Sequence, residues 1–357
     1  MKTKILVTAL LLGAHAASAQ EPAALPSKSD AEKILKADKV SKGGNISRLA
    51  ITSCNVLFAN ETSANAETQR GFGDSTAKRV ESRIDATYTM QGMDAATLQA
   101  LATQICADAS AQLGAAGYTM VPAAEVAARP EFAKLHAKGK PVPYAYERNG
   151  TKYTNYAPPG EQVIDLNYLS TRDVFGAAFS AMSATENPAI IEGTLLNGLQ
   201  ASGAHINVMV DFAKPTSNSV KGFFGKIAGS DTAKVEAKMQ LSISGLITLI
   251  PLEYIDCGSG YCIGASDASK APRFTSKAPL VSGANAVLDV VDIQSKAEKG
   301  GELAVNAMAT VIALSGYSSA TTSIERNGVV VDPTIYQSEV RRMAREFVGM
   351  AAVLAKP

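Results

Sequence analysis

Tryptophan is missing from this chain, and aromatic residues make up only 6% of it. Sugar platforms favour large aromatic faces, so the scarcity argues against a carbohydrate-binding module. Histidine is nearly as rare. His15, His136 and His205 are the three present, isolated in sequence and without the spacing of a zinc site. No stretch after the N-terminus stays apolar for about 18 residues, so no transmembrane helix is expected. Charge of either sign is also scarce in excess: 34 basic against 33 acidic side chains give +1. A balance that close argues against nucleic acid as a partner and against a polybasic membrane footprint. Dinucleotide and Walker fingerprints are absent too, since Gly71-Phe72-Gly73 and the glycines of 222–229 fit neither, and no cofactor is expected.

The N-terminus reads MKTKILVTALLLGAHAASAQ. Lys2 and Lys4 precede an apolar run from Ile5 to Leu12, and Ala17-Ser18-Ala19 supplies the small residues a signal peptidase requires. Residues 1–19 therefore read as a secretory signal peptide cleaved before Gln20, too short to span a bilayer. Loss of Lys2 and Lys4 leaves 32 basic and 33 acidic side chains, a mature net charge of −1. The style is bacterial, which makes the Gram-negative periplasm or the medium the expected location.

Export changes the meaning of the four cysteines, Cys54, Cys106, Cys257 and Cys262. In an oxidising compartment an even count reads first as disulfides. Cys257 and Cys262 flank Gly258-Ser259-Gly260-Tyr261, a turn able to bring their Cβ atoms within bridging range. That leaves Cys54, in the strand-like run LAITSCNVLF, to pair with Cys106 on a helix face shared with Leu98, Ala102, Ala109 and Leu113. A thioredoxin-type site would need C-x-x-C at a helix start, so the DCGSGYCIG stretch is expected to be a staple.

Residues 20–45 are polar and read as a flexible lead-in, with one short helix at DAEKILKAD; residues 46–357 form the domain. Strand signals follow at 48–58, at VESRIDATYTM (80–90) with Val80, Ile84, Ala86, Tyr88 and Met90 on one face, and at HINVMVDF with Ile206, Val208, Val210 and Phe212 together. Others fall at 118–121, 235–250, 286–293 and 307–315, and Asn60 to Ser75 reads as loop. Asp94 caps a helix to about Leu113, another spans 189–201, and Asp332-Pro333 opens a C-terminal helix with Tyr336, Val340, Met343, Phe347, Met350 and Leu354 as its apolar stripe. Asn327-Gly328 between strand-like runs predicts a hairpin over 321–331. The expected class is α+β: a mixed, largely antiparallel sheet with helices on one face and a C-terminal helix after a hairpin. The strands at 80–91 and 236–246 are long enough to cross a bilayer, but their apolar faces carry Ala and Ser without aromatic girdles and read as strands of a soluble sheet.

RLAITSCNVLFAN, LGAAGYTMVP and LNGLQASGAHINVMVDF, with the C-terminal hairpin and helix, resemble the periplasmic domain shared by the curli-secretion channel subunit and the lipoprotein activators of penicillin-binding proteins. The resemblance implies an envelope assembly or regulatory role without catalysis. Those relatives are typically lipoproteins, and this chain has no lipobox cysteine.

Segment 124–160, ending VPYAYERNGTKYTNYAPPG, is long, expected to be irregular, and rich in tyrosine and basic residues. Such loops often bind, which makes Tyr144, Tyr146, Arg148, Lys152, Tyr153 and Tyr156 the candidate binding residues. The enzymatic alternative rests on Ser75 and Lys78, an S-x-x-K match of the kind in which lysine takes the proton of a serine nucleophile, though no K-T-G strand follows. His205 opens a strand on its polar face and is expected to meet solvent, while His136 lies in a basic segment. The leading expectation is an exported, non-enzymatic protein that binds an envelope protein or a peptidoglycan-associated partner. A serine hydrolase and a small-ligand carrier are the alternatives.

Overall fold

The structure is a computed structural model that describes residues 23–42, 46–67, 80–164, 188–219, 233–255, 271–296, 298–299, 302 and 319–356. The signal segment, Ser75, Lys78, Cys257, Cys262 and the strand expected at 307–315 lie outside them.

Among the described residues twelve strands form one mixed sheet. In chain order they are β1 (Leu35–Asp38), β2 (Arg48–Glu67), β3 (Val80–Gln91), β4 (Thr119–Met120), β5 (Tyr144–Arg148), β6 (Thr151–Tyr156), β7 (Ser202–Ser219), β8 (Ala233–Ile250), β9 (Arg273–Ser276), β10 (Leu280–Val281), β11 (Val287–Asp292) and β12 (Ser319–Val331). The main path runs β1-β9-β8-β7-β2-β3-β12-β11. Among the described strands only the β2–β4, β2–β7 and β3–β12 pairings are parallel, so the sheet is largely antiparallel. Six helices accompany it among the described residues: α1 (Lys28–Ile34), α2 (Ala95–Ala115), α3 (Ala123–Ala127), α4 (Pro130–His136), α5 (Pro188–Leu199) and α6 (Pro333–Ala355). The fold is α+β.

The two long helices share one face. Asp94 caps α2 by accepting from the Thr97 N–H at 2.7 Å, and Asp332 caps α6 by accepting from Thr334 and Ile335. All six residues of the expected α6 stripe are buried. The helices are clamped to each other by Asp108, fully buried on α2, which takes a bidentate pair from Arg341 (2.8 and 2.9 Å) and lies 3.6 Å from Arg345. Cys54 reaches the same layer and bonds Cys106 of α2, as the sequence implied. Ile206 is the register partner of Cys54, so Ile206, Val208 and Val210 line this core, and His205, Asn207, Met209 and Asp211 must face the other way.

That other face is covered at one end by α3, α4 and α5, around a second core that includes Ala50, Leu135, Leu195 and Ile250. A bulge in β2 between Ile51 and Ser53 shifts the alternation, which lets Thr52 meet α5 while Cys54 still meets α2.

Four expectations are corrected. The lead-in is not all flexible: Ser27 caps α1, and β1 completes one edge of the sheet against β9. The loop expected from Asn60 continues as strand to Glu67, because its polar side chains find partners across the ladder, Thr62 with Thr151 and Ser63 with Thr87. Segment 124–160 is regular, with α3, α4 and the β5–β6 hairpin, whose turn is Asn149-Gly150 with φ of 51° and 76°. Asn327-Gly328, with the same signal, makes no turn. β12 runs straight through it, held by β3 on one side and β11 on the other. Two flanking ladders leave no room for the chain to reverse.

Candidate functional site

The β5–β6 hairpin brings the tyrosine- and arginine-bearing segment onto the sheet. β6 pairs antiparallel with the second half of β2, and β5 hangs on its outer side. Register partners Tyr144–Asn155, Tyr146–Tyr153 and Arg148–Thr151 share one face of the hairpin. That face turns toward the polar side of β7. There the Tyr153 hydroxyl donates to Asp211 Oδ1 at 2.7 Å, and Arg148 Nη1 lies 3.8 Å from Met209 Sδ. The Tyr146 ring packs on Tyr153 with centroids 6.3 Å apart.

Together these strands enclose an open groove of about 770 Å³, with a floor of hydroxyls from Ser242, Ser244 and Thr275 and walls that carry Arg148, Tyr153, Asp211, Lys214 and Arg273. Burial pushes the Asp211 carboxyl above its usual range, against the lowering effects of the Tyr153 hydrogen bond and the Arg148 charge. Burial likewise raises the Tyr146 phenol, which the Arg148 charge partly counters.

Of the six residues singled out for binding, Arg148 and Tyr153 line this groove and Tyr146 supports Tyr153 from behind. Tyr144 is half-buried on the same hairpin face. The other two are elsewhere. Lys152 points to the opposite side and pairs with Glu61 at 2.6 Å, and Tyr156 is buried against Phe58 as part of the core. Asp211 and Lys214 were missed because each sits on the polar side of a strand, where sequence shows only that a face is polar and not what encloses it, and Arg273 because its four-residue strand is too short to give a periodic signal.

A second polar cluster lies under α5. Glu192 Oε1 accepts from the Thr52 hydroxyl at 2.6 Å and lies 2.6 Å from His205 Nε2, and all three residues are buried. His205 was expected at the surface; α5 covers its face of the sheet and makes it internal. His136 is also buried, its Nδ1 accepting the Gln162 N–H at 2.9 Å, and burial holds its imidazole below the usual histidine range. Nearby, burial pushes the Glu161 carboxyl up to about 8, against a backbone hydrogen bond from Cys54. Thr52, fully enclosed, is out of reach of any substrate, and the cluster fastens α5 to the sheet.

Among the described residues no group of three or more His, Cys, Asp or Glu is placed to hold a metal ion, and no helix is long and apolar enough to cross a membrane. No protein-family model matches the chain, and neither a curated protein nor a solved structure is significantly similar to it.

Proposed function

We propose that this is an exported protein of the bacterial cell envelope, processed before Gln20, that acts by binding a partner through the groove beside the β5–β6 hairpin. One observation carries the reading. The segment singled out by its tyrosines and basic residues forms the wall of a 770 Å³ groove, and the Tyr153–Asp211 hydrogen bond fixes that wall to the sheet. A wall held by a ladder and a partly buried hydrogen bond presents Arg148 in one place, which lowers the ordering cost of binding. The Cys54–Cys106 disulfide supports an oxidising compartment, and the apolar run at 5–12 followed by Ala17-Ser18-Ala19 supports export by a cleaved signal.

The test is affinity capture from the envelope extract of the source cells, with wild-type protein set beside Arg148→Glu. Deleting the hairpin is uninformative, since β6 is a paired strand of the sheet. Arg148 is exposed, and circular dichroism of Arg148→Glu checks that the fold is kept. An envelope protein retained by the wild type and lost by Arg148→Glu supports the reading, and equal retention by both removes the groove from it.

A further inference from the structure

The groove carries more positive charge than its acids answer. Asp38 already pairs with Lys36 at 3.0 Å, and Asp211 holds the Tyr153 hydroxyl and feels the Arg148 charge. Lys214 has no such partner among the described residues. Arg273 lies opposite Asp38 on the β1–β9 ladder and shares that acid with Lys36, and its own Nε is buried without a hydrogen bond. At the Lys214 end the imbalance is sharper. Lys214 and Lys238 are direct register partners across the β7–β8 ladder, both exposed. Like charges directly opposite each other on a ladder are destabilising, and an anion between them would relieve the repulsion.

The spacing rules out a small ion as the occupant of both ends. Arg273 is opposite Thr248 of β8, and Lys214 is opposite Lys238, ten positions along the same strand. At about 3.3 Å per residue the two ends are roughly 30 Å apart. Arg148 stands between them, against Met209, whose partner on β8 is Ser244. The cations therefore fall beside positions 248, 244 and 238, all even separations. An extended chain lying along β8 would present acids at such spacings on one face. The floor is rich in hydroxyls that can pair with backbone amides, and Tyr153, the tyrosine that lines the groove, already spends its hydroxyl on Asp211.

Resting on the binding reading above, we infer that the groove takes an extended acidic peptide segment of a partner protein, about ten residues long, with its acids facing Arg273, Arg148 and the Lys214–Lys238 pair.

The test is fluorescence anisotropy of the full mature protein with a labelled eleven-residue peptide carrying Asp at positions 1, 5 and 11 and Ser or Thr elsewhere. The same peptide with Asn for Asp is the control. At low salt the Asp peptide binds at least about tenfold more tightly than the Asn peptide, and the gap closes as salt rises and the Debye length falls to about 8 Å. Lys214→Glu, at an exposed position, weakens the Asp peptide about tenfold, and Lys214→Glu with Arg273→Glu removes the preference. Equal binding of the two peptides overturns the inference, as does an undiminished affinity of Lys214→Glu. Tighter binding of an oligouronate than of the Asp peptide also overturns it, in favour of an anionic glycan. These outcomes are separate from capture by Arg148→Glu. Loss of the peptide preference leaves partner binding at the hairpin standing, and unchanged capture refutes the hairpin whatever the peptide does.

Discussion

Removing the Cys54–Cys106 bond should cost this protein about 4 kcal/mol. The two cysteines are 52 residues apart in sequence, and their bond ties β2 to α2. A closed loop of that length removes about 14 cal/mol/K of chain entropy from the unfolded state, or roughly 4 kcal/mol at 25 °C. Against a typical net stability of about 5–15 kcal/mol this is a large share. Cys54 and Cys106 are also buried, so losing their sulfur packing adds to the effect. Reductant is a poor perturbation because it reaches all four cysteines; the double variant Cys54→Ala, Cys106→Ala isolates this bond. With no tryptophan to report, unfolding in urea is followed by far-UV circular dichroism. For an m-value of about 3 kcal/mol/M the midpoint falls by roughly 1.3 M. A shift below about 0.3 M, at unchanged m, would refute the assignment of the bond as a main constraint on the unfolded chain.

Three further predictions follow from buried groups. Asp108→Ala removes the carboxylate that answers Arg341 and Arg345 and should destabilise by about 3 kcal/mol, whereas Asp108→Asn, which keeps one acceptor oxygen, costs less; thermal unfolding that ranks the two equally contradicts the clamp. Gly245→Ala would drive a Cβ into the Asn207 carbonyl oxygen and to 3.0 Å from the Phe347 ring, costing about 1–3 kcal/mol or more by overpacking, and a neutral melting temperature would show that β7 and α6 yield there. Glu161 links stability to pH. Its folded pKa, pushed up to about 8 by burial, exceeds its ordinary 4.5, so between those values the unfolded chain loses a proton that the folded chain keeps, and stability falls as pH rises from 4.5 to 8. Glu161→Gln should flatten that decline by up to a few kcal/mol in urea midpoints taken at pH 5 and 8. An identical slope in the variant would move the titration to another group. His136 acts with the opposite sign, its lowered pKa removing stability as pH falls below about 6.5.

How far the sequence carries depends on whether a signal is local. Asp94 and Asp332 mark helix starts within a residue of where the structure has them, because an N-cap acts within its own turn. The alternation in VESRIDATYTM delimits β3 as Val80–Gln91 and puts Ala86 and Tyr88 inside, since pleating forces the period. Where tertiary contacts decide, local signals mislead. Asn149-Gly150 turns and Asn327-Gly328 does not, and the difference is the pair of strands flanking β12. His205 lies on the polar side of its strand as expected, yet is buried, because α5 folds onto that side with Glu192 to meet it. The groove was half legible. Arg148 and Tyr153 could be chosen from composition in one short segment, but Asp211, Lys214 and Arg273 come from β7 and β9, some sixty and more residues further along, and only sheet order brings them together.

Partner binding at the groove is the central claim, and site-specific photo-crosslinking in the source cells tests it most directly. A benzophenone amino acid replaces Ser244, on the groove floor, and in a second protein replaces Ala124, exposed on α3 away from the groove. The account predicts a discrete crosslinked envelope protein from position 244 that is absent from position 124 and lost when Lys214→Glu is added. The same product from both positions, or none from position 244, would contradict it.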